Sequence, residues 1–477
     1  MSKPLFLLCA LLAFRYFSLG QDEGARIGKA FDAFSATPAL RHAIASLYVA
    51  DAQSGETVYA KHAETGLAPA SAQKVVTAAA FLDMVGKSFQ YKTIFGYSGP
   101  VVDGVLDGPV VVRGSGDPSL GSPRFPQTRA REMGMALAAA LRQQGIREAK
   151  GGMLAILPNQ ESQTIPNGWI WEDMANYYGA GHGSLNWKEN QFDLMLQPGS
   201  KPGEPVRILN ESYLASIVLP AAAGSGQEPA KGFIRNELVS GPKGSGDQAY
   251  LFFQPAAAAY VARGSVPCCT DSFRISGAVS SPDWYALREI SQLANIRGAL
   301  QTKQVREKPD AFAYQPLYVH KSPGADSLVY WFLQKSINLY GEAFIHTIAQ
   351  QKSGFAAYEE GLKLVRQHWK ERGIDTGSLQ IMDGSGLSPQ NRVTAKALTQ
   401  VMLYARKRPW YASFYAALPT FNGIRMKSGT IGGAKTFTGY IKSKSGKEYA
   451  FAIMVNNFQG PSSAVVKGMY AVLDQLK

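Results

Sequence analysis

The segment from Pro69 to Gly86 constrains the fold of this chain more than any other stretch. A proline is tolerated just before a helix, the residues from Ala72 onward are good helix formers, and Gly86 is a typical stop. Ser71 is therefore predicted at a helix N-terminus, and Lys74 lies one turn later on the same face, with the Cβ atoms roughly 5–6 Å apart. A serine hydroxyl becomes a good nucleophile when a base removes its proton, so the pair is a candidate nucleophile and base.

The Ser-x-x-Lys spacing alone does not identify a site. It recurs at Ser240–Lys243, where a Gly-Pro pair favours a turn and no helix fixes the two side chains. On the spacing alone, Ser71 can equally be an ordinary helix N-cap and Lys74 a solvated lysine. The rest of the chain decides between the two interpretations.

Composition limits the class of protein. The 477 residues suffice for about three domains, and 18% charged with 45% hydrophobic residues indicate a globular chain. The formal charge of +13 suits an anionic polymer such as cell wall, or a loose association with a membrane surface. Because the basic residues are scattered rather than clustered with aromatic residues, we predict no nucleic-acid partner.

Residues 1–20 have the pattern of a cleaved secretory signal peptide. Lys3 gives a positive start, Pro4–Phe14 is apolar, and Ser18 and Gly20 supply the small residues that precede a cleavage site. Arg15 interrupts the apolar run, which argues against a spanning helix. Cleavage after Gly20 would lower the formal charge from +13 to +11. An uncleaved interfacial anchor is the alternative.

Metal and disulfide chemistry are not indicated. The mature chain keeps only Cys268 and Cys269, and adjacent cysteines form at best a strained disulfide, so we expect two buried thiols. The six histidines show no metal-ligand spacing. We predict neither a metal nor another cofactor.

The order of the elements predicts an α/β (α+β) fold. Strand-like runs at Ala45–Ala50 and Glu56–Ala60 precede the Ser71 helix, whereas Tyr91–Pro282 is dominated by short strands and turns. Helices return afterwards, including one predicted over Asp326–Gln350, and Thr436–Val455 is a predicted hairpin. Strands at both ends with helices between them indicate one α/β unit interrupted by a β-rich insertion.

Two later motifs supply what a serine acyl-transfer site needs besides nucleophile and base. Ser336-Ile337-Asn338 offers a hydroxyl for a proton relay and an amide to clamp the substrate; a second Ser-x-Asn stands at Ser184–Asn186. Lys427 of the Lys-Ser-Gly-Thr sequence at 427–430 offers a cation, and its glycine allows close approach of the backbone.

The strand that follows this third motif can present the Thr430 N–H opposite the Ser71 N–H as an oxyanion hole. Lys-Ser-Gly also occurs at Lys352–Gly354, a predicted helix end, and at Lys444–Gly446, a predicted turn. A single triplet is more often a turn than a site. The order of the three motifs along the chain is what indicates chemistry.

With these motifs the chain resembles the D-alanyl-D-alanine carboxypeptidase/endopeptidases of the class C, low-molecular-mass penicillin-binding proteins. The resemblance covers nearly the whole mature chain. It also includes several loop segments: Gly114–Leu120, Tyr178–Ala180, Ser184–Asn186, Gly264–Pro267 and Met382–Ser388 with Asn391.

The resemblance implies a penicillin-binding/β-lactamase-like transpeptidase domain split by a large insertion. After the signal peptide, residues 21–92 and 283–477 would form the catalytic domain, and residues 93–282 would form a β-rich insertion of two small domains. Ser184 then belongs to the insertion, so that Ser336 is the relay serine. Ser428 stands where threonine is commoner in the family, but the hydroxyl is kept.

The resemblance also assigns roles to the residues of the three motifs. The nucleophile would be Ser71 and the base Lys74; Ser336 and Asn338 would be relay and clamp; and the substrate carboxylate would be held by Lys427, Ser428, Gly429 and Thr430. The implied function is a periplasmic serine D-Ala-D-Ala carboxypeptidase that trims the peptide stems of peptidoglycan, with cleavage of cross-links as a second activity and β-lactam antibiotics as covalent inhibitors.

Three alternatives stay open at this point. A β-lactamase would share the acylation step but needs an activated water, and no glutamate can be assigned to that task. A cell-wall-binding protein would use the β-rich insertion without catalysis. A structural scaffold would carry an inactive site.

Overall fold

A computed structural model describes the chain in six stretches: residues 23–158, 160–161, 163–218, 234–253, 260–305 and 312–477. The predicted signal peptide lies outside these residues. Contacts divide the chain into two compact units. The first unit comprises the residues up to Lys87 together with Val329–Ser336 and Leu362–Lys477, and the second comprises Ser88–Leu328 and Ile337–Gly361. The domain boundaries expected from the sequence stay a prediction.

The first unit contains a six-stranded antiparallel sheet built from both ends of the chain. The strand Ile44–Asp51 pairs along its whole length with Glu448–Asn456, so that Ile44 faces Asn456 and Asp51 faces Tyr449. In spatial order the strands are Thr420–Phe421, Ile424–Ile431, Ala434–Lys442, Glu448–Asn456, Ile44–Asp51 and Thr57–Lys61.

Helices cover both faces of this sheet, and its central strands are therefore buried on both sides. On one face, helical residues 23–35 and the helix Ser462–Leu473 pack their apolar side chains against those of the strands. On the other face, the helix Ala395–Arg406 packs on the two central strands and on the helix Lys74–Met84. The unit also holds the helix Tyr411–Ala417, most of the helix Tyr358–Lys370, the strands Leu379–Gln380 and Arg392–Val393, and the 3₁₀ turns Pro38–Leu40, Ala70–Gln73, Thr376–Ser378 and Asp474–Leu476.

The second unit is centred on a mixed five-stranded sheet. Its order is Leu300–Val305, Met153–Pro158, Val110–Arg113, Lys92–Tyr97 and Gln315–Lys321; the first three strands are parallel, and the last two pair antiparallel. The helices Ala130–Gln143 and Pro282–Leu293 pack together beside it.

Smaller elements complete the second unit. Three three-stranded sheets comprise Arg207–Ile208, Gln191–Gln197 and Phe273–Ala278; Ile234–Gly241, Tyr260–Pro267 and Gln248–Phe253; and Val101–Val102, Val105–Leu106 and Glu148–Ala149. The helices are Trp171–Met174, Glu211–Val218 and Asn338–Ser353, with 3₁₀ turns at Pro126–Thr128, Tyr177–Gly179 and Lys188–Asn190. The predicted mixed α/β fold is confirmed.

The helix predicted over Asp326–Gln350 is wrong in one respect, because the chain forms two helices there. They span Ala325–Gln334 and Asn338–Ser353, and Ser336 between them has φ +57°. A left-handed backbone is uncommon for a residue other than glycine and cannot continue a right-handed helix. The Ser-x-Asn motif therefore lies at the break between two helices.

The cysteine expectation also needs correction. Cys268 is buried and Cys269 is exposed, and both are free thiols. Cys269 has φ +66° and lies two residues beyond the strand Tyr260–Pro267, where the chain has left the sheet. In the described part of the chain, no group of three or more His, Cys, Asp or Glu side chains could hold a metal ion. Nor does any helix among the described residues have the length and hydropathy to cross a membrane.

The end of the helix Lys74–Met84 is held by a buried carboxylate, Asp83. Its side chain is 7% exposed and accepts hydrogen bonds from Tyr404 Oη at 2.6 Å and Trp410 Nε1 at 3.1 Å. Arg372 Nη2 at 3.0 Å and Arg408 Nε at 3.2 Å add two cations. Burial raises the pKa of Asp83, but the Tyr404 and Trp410 hydrogen bonds and the Arg408 charge lower it below its ordinary value.

We expect Asp83→Asn to lower the free energy of unfolding by about 3 kcal/mol, because two arginines lose their counter-charge. The urea midpoint measures the effect, with the exposed Asp271→Asn as control. Because folding lowers the pKa of Asp83, its stabilisation is present above the unfolded value of 3.8 and is lost as the pH falls further. The two proteins should therefore converge in stability below about pH 4. Equal midpoints at pH 7 would contradict this account.

Candidate active site

Ser71 lies in a short 3₁₀ turn, Ala70–Gln73, and the α-helix begins at Lys74. The predicted position at the start of a helical segment is thus correct, but the α-helix starts two residues later than expected. Ala70, just before the serine, has φ +48°, an uncommon conformation for alanine. Such local strain is typical of positions that the surrounding structure fixes for function.

Lys74 contacts Ser71 directly. Its Nζ lies 3.0 Å from Ser71 Oγ and donates a second hydrogen bond, of 2.7 Å, to the carbonyl oxygen of Ser385. The lysine is fully buried, and its Nζ lies 5.6 Å from the centroid of the Phe332 ring. A solvated lysine, the alternative considered from the sequence, is excluded. The hydroxyl and the amine are placed for proton transfer.

The loop that carries Ser385 is held by a buried aspartate. The Asp383 carboxylate accepts the N–H groups of Gly386 and Ser388, both at 2.6 Å, and the Asn391 amide at 3.0 Å. Thr77 Oγ1, on the helix of Lys74, donates to the Gly384 carbonyl at 2.7 Å. This loop fixes the second partner of Lys74.

The Ser385 carbonyl is the main element of the site that sequence reasoning missed. Only the Asp-Gly-Ser-Gly run at 383–386 signalled a special loop there. The glycine that ends this run, Gly386, has φ +83°, and a Cβ on it would collide with the Ala70 carbonyl oxygen. The loop therefore packs directly against the turn that bears Ser71.

The strand Ile424–Ile431 places the Lys-Ser-Gly-Thr motif against the same turn. A Cβ added to Gly429 would lie 2.9 Å from Ser71 N and 2.7 Å from Ala72 N, distances that real Cβ atoms essentially never show. Glycine is therefore required sterically at this position. The third motif and the Ser71–Lys74 pair form one cluster.

The orientation of the strand's N–H groups can be derived from one hydrogen bond. Met426 N donates to the Pro419 carbonyl at 2.9 Å, on the edge away from the strand Ala434–Lys442. In an antiparallel strand, alternate residues direct their N–H groups to the same edge. The N–H of Thr430 is therefore directed to the same edge, away from the strand Ala434–Lys442.

Lys427 supplies a buried cation to this cluster. Its side chain is 2% exposed, and its Nζ donates to the Ser428 carbonyl at 2.9 Å. Burial, followed by the charges of Lys74 and Lys435, lowers the pKa of Lys427 well below its ordinary value. Lys435 in turn donates to Thr430 Oγ1 at 2.7 Å.

The remaining motif residues are distributed as follows. Ser336 belongs to the first unit with Ser71, whereas Asn338 begins a helix of the second unit, where its amide donates to the Tyr178 carbonyl at 2.7 Å. In the second Ser-x-Asn, Ser184 donates to Gln160 Oε1, and Asn186 accepts from Gly183 N.

Through these hydrogen bonds, Ser184 and Asn186 stabilise their own loop in the second unit. The two extra Lys-Ser-Gly triplets are a helix C-terminus, with Gly354 at φ +77°, and a turn between strands, with Gly446 at φ +87°. Both match the predictions.

The fold and this cluster together define a class of protein. The structure superposes on the crystal structure of penicillin binding protein 4 (dacB) from Haemophilus influenzae with a TM-score of 0.74 at 22% identity, covering 91% of this chain and 96% of that chain. The same Haemophilus protein complexed with a β-lactam matches with a TM-score of 0.68 at 20% identity, covering 91% of this chain and 95% of that chain. The chain has the fold of a penicillin-binding protein.

A match to a family model identifies the class of protein more narrowly. Residues 27–476 match the D-Ala-D-Ala carboxypeptidase 3 (S13) family, and the chain belongs to that family. The D-alanyl-D-alanine carboxypeptidase of Actinomadura sp. (strain R39) is 26% identical over 95% of this chain and 86% of its own length. D-alanyl-D-alanine carboxypeptidase DacB of Haemophilus influenzae is 24% identical over 83% and 81%. The predicted enzyme class, a serine-type D-Ala-D-Ala carboxypeptidase, is confirmed.

Proposed function

We propose that the protein cleaves the terminal D-Ala-D-Ala bond of peptidoglycan peptide stems in the periplasm, through an acyl-enzyme on Ser71. The observation that supports Ser71 most directly is the 3.0 Å contact of its hydroxyl with the buried Lys74 amine. Secretion is supported by the signal-peptide pattern of residues 1–20. Cleavage of peptide cross-links is proposed as a second activity of the same site.

In the proposed acylation, Lys74 in its unprotonated form takes the Ser71 proton as the oxygen bonds to the carbonyl carbon. The resulting oxyanion accepts hydrogen bonds from the backbone N–H groups of Ser71 and Thr430. The C–N bond then breaks, and the leaving amino group of D-alanine takes the proton that Lys74 received, passed on through the Ser336 hydroxyl. Water hydrolyses the ester and restores Ser71.

Substrate recognition would rest on the side chains of the Lys-Ser-Gly-Thr and Ser-x-Asn motifs. The protonated Lys427 side chain, with the hydroxyls of Ser428 and Thr430, would bind the terminal carboxylate. For Asn338 as the clamp on the substrate amide, the support is the Ser-x-Asn sequence.

Benzylpenicillin tests the nucleophile and the class together. We expect intact-protein mass spectrometry to show one persistent adduct, and peptide mapping to place it on Ser71. Ser240 is an internal control, because it begins the second Ser-x-x-Lys but lies in the strand Ile234–Gly241. An adduct that disappears within minutes would indicate a β-lactamase. No adduct on the folded protein would refute the proposed mechanism.

The lowered pKa of Lys427 predicts an alkaline loss of recognition. A lysine with a lowered pKa loses its proton, and with it the attraction for a carboxylate, at a pH below its ordinary value of 10.5. The ratio of kcat/KM for a peptide acid to that for the matched C-terminal amide should therefore fall as the pH rises toward that value. A ratio that stays constant up to pH 10.5 would contradict this role.

A further inference from the structure

A second cleft lies within the described residues of the second unit, beside the C-terminal turn of the helix Asn338–Ser353. Its volume is about 640 Å³, within the range of ordinary ligand pockets. Lys92, Arg113 and Lys321 contribute to its lining. None of the described residues that line it is an aspartate or glutamate.

The register of the five-stranded sheet puts these three cations on one face. Lys92 pairs directly with Lys321 on the neighbouring antiparallel strand, so both side chains point the same way. Arg113 pairs with Ile94 on the other side, and Ile94 shares a face with Lys92 because it is two residues away. The three side chains therefore project together at one end of the sheet.

This arrangement is unfavourable without a negatively charged partner. Like charges directly opposite each other on paired strands destabilise a sheet. In the described part of the chain, no ion pair within 4.0 Å joins any of the three cations to a carboxylate. The helix C-terminus nearby carries only about half a negative charge, which is small beside three cations.

The rest of the lining suits a peptide better than a bare inorganic anion. Phe89 and Tyr91 pack edge to face, with ring centroids 5.0 Å apart, and form an aromatic wall. Tyr91 is only 2% exposed, so the accessible part of this wall comes mainly from Phe89. Gln350 and Ser115 add a carboxamide and a hydroxyl, which can pair with peptide N–H and C=O groups. Aromatic surface combined with a few polar groups is the usual composition of an organic ligand site.

The cleft is remote from the Ser-x-Asn motif. Gln350 lies twelve residues beyond Asn338 on the same helix, which corresponds to about 18 Å at 1.5 Å per residue. A ligand bound there therefore does not contact the Ser-x-Asn motif.

We propose that this cleft binds an acidic peptide stem of the wall polymer, other than the stem that is cleaved. This proposal rests on the proposed function for its choice of polymer. The three cations bind the carboxylates of the stem, and the aromatic wall and amides hold its backbone. The cleft thus increases affinity for the polymer and leaves the chemistry at Ser71 unchanged.

Binding of a soluble disaccharide-tripeptide fragment, which lacks D-Ala-D-Ala, tests the cleft by calorimetry. The protein is used after acylation by benzylpenicillin. We expect the double variant Lys92→Gln with Lys321→Gln to bind about tenfold more weakly than the unmodified sequence. Arg113→Gln should act in the same direction, and salt should weaken binding.

The matched control is the double variant Lys201→Gln with Lys243→Gln. Both lysines are exposed and lie in the second unit, so this variant loses the same two positive charges. Equal affinities of the two double variants, or no binding by the unmodified sequence, would overturn the proposal. Displacement by inorganic phosphate at concentrations where glutamate has no effect would also overturn it, in favour of a phosphate polymer.

The rate of D-alanine release from a short peptide tests the proposed function independently of binding to the cleft. We expect all these variants to release D-alanine at the rate of the unmodified sequence, because none of the changed residues belongs to the Ser71–Lys74 pair, the Ser-x-Asn motif or the Lys-Ser-Gly-Thr motif. If the unmodified sequence released none, the proposed function would fail, while the fragment-binding comparison would still decide whether the cleft takes an acidic peptide.

Discussion

Replacing Lys74 with methionine should slow acylation by benzylpenicillin about 10³-fold. Methionine fills similar space in a fully buried position but cannot accept the proton of Ser71, and general-base catalysis is worth roughly 10²–10⁴-fold. The rate is measured from the growth of the adduct mass with excess antibiotic. Circular dichroism and the urea midpoint establish that the variant is folded.

Lys243→Met is the matched control, because Lys243 stands at the same place in the second Ser-x-x-Lys but is exposed. It should acylate at the unmodified rate. A second readout comes from Lys427, whose pKa the Lys74 charge helps to lower. Without that charge, the alkaline fall in recognition of peptide acids should move to higher pH. Near-normal acylation of Lys74→Met would rule out Lys74 as the base.

Gly429→Ala should reduce the acylation rate about 10²-fold. The new methyl group would lie 2.7 Å from Ala72 N and 2.9 Å from Ser71 N, both backbone atoms that cannot rotate away. The strand or the Ser71 turn must then shift, and a displacement of about 1 Å can cost 10²-fold in rate. Overpacking should also lower the free energy of unfolding by about 1–3 kcal/mol.

Gly432→Ala is the control for this substitution. It lies three residues further along, and a Cβ there meets no atom within 4 Å. It should leave both the acylation rate and the urea midpoint unchanged. If Gly429→Ala acylated as fast as Gly432→Ala, the close approach of strand and turn would have no part in positioning the nucleophile.

The elements that sequence reasoning predicted well are those determined by nearby residues. The helix-forming run after Pro69 places Ser71 and Lys74 three residues apart on one turn, and the contact at 3.0 Å follows from that spacing. Gly429 also carried its own signal, because a glycine before a strand residue indicates close approach of a backbone.

The features that sequence reasoning missed depend on contacts between distant parts of the chain. The Ser385 carbonyl that accepts from Lys74 is 311 residues away in sequence, and a main-chain carbonyl has no side-chain signature. The break at Ser336 contains neither proline nor glycine, so no local signal opposed one long helix. The pairing of Lys92 with Lys321 became visible only with the register of the sheet.

The pairing of Ile44–Asp51 with Glu448–Asn456 has a consequence for how the molecule is made. The first of these strands leaves the ribosome some 400 residues ahead of its partner, so it must wait with an unpaired edge until translation is almost complete. Gly429 likewise packs against the Ser71 turn only near the end of synthesis. A fragment truncated before Glu448 cannot complete the central sheet and should expose that edge to aggregation or proteolysis. The hydrolytic activity of this protein is thus tied to a fully synthesised chain.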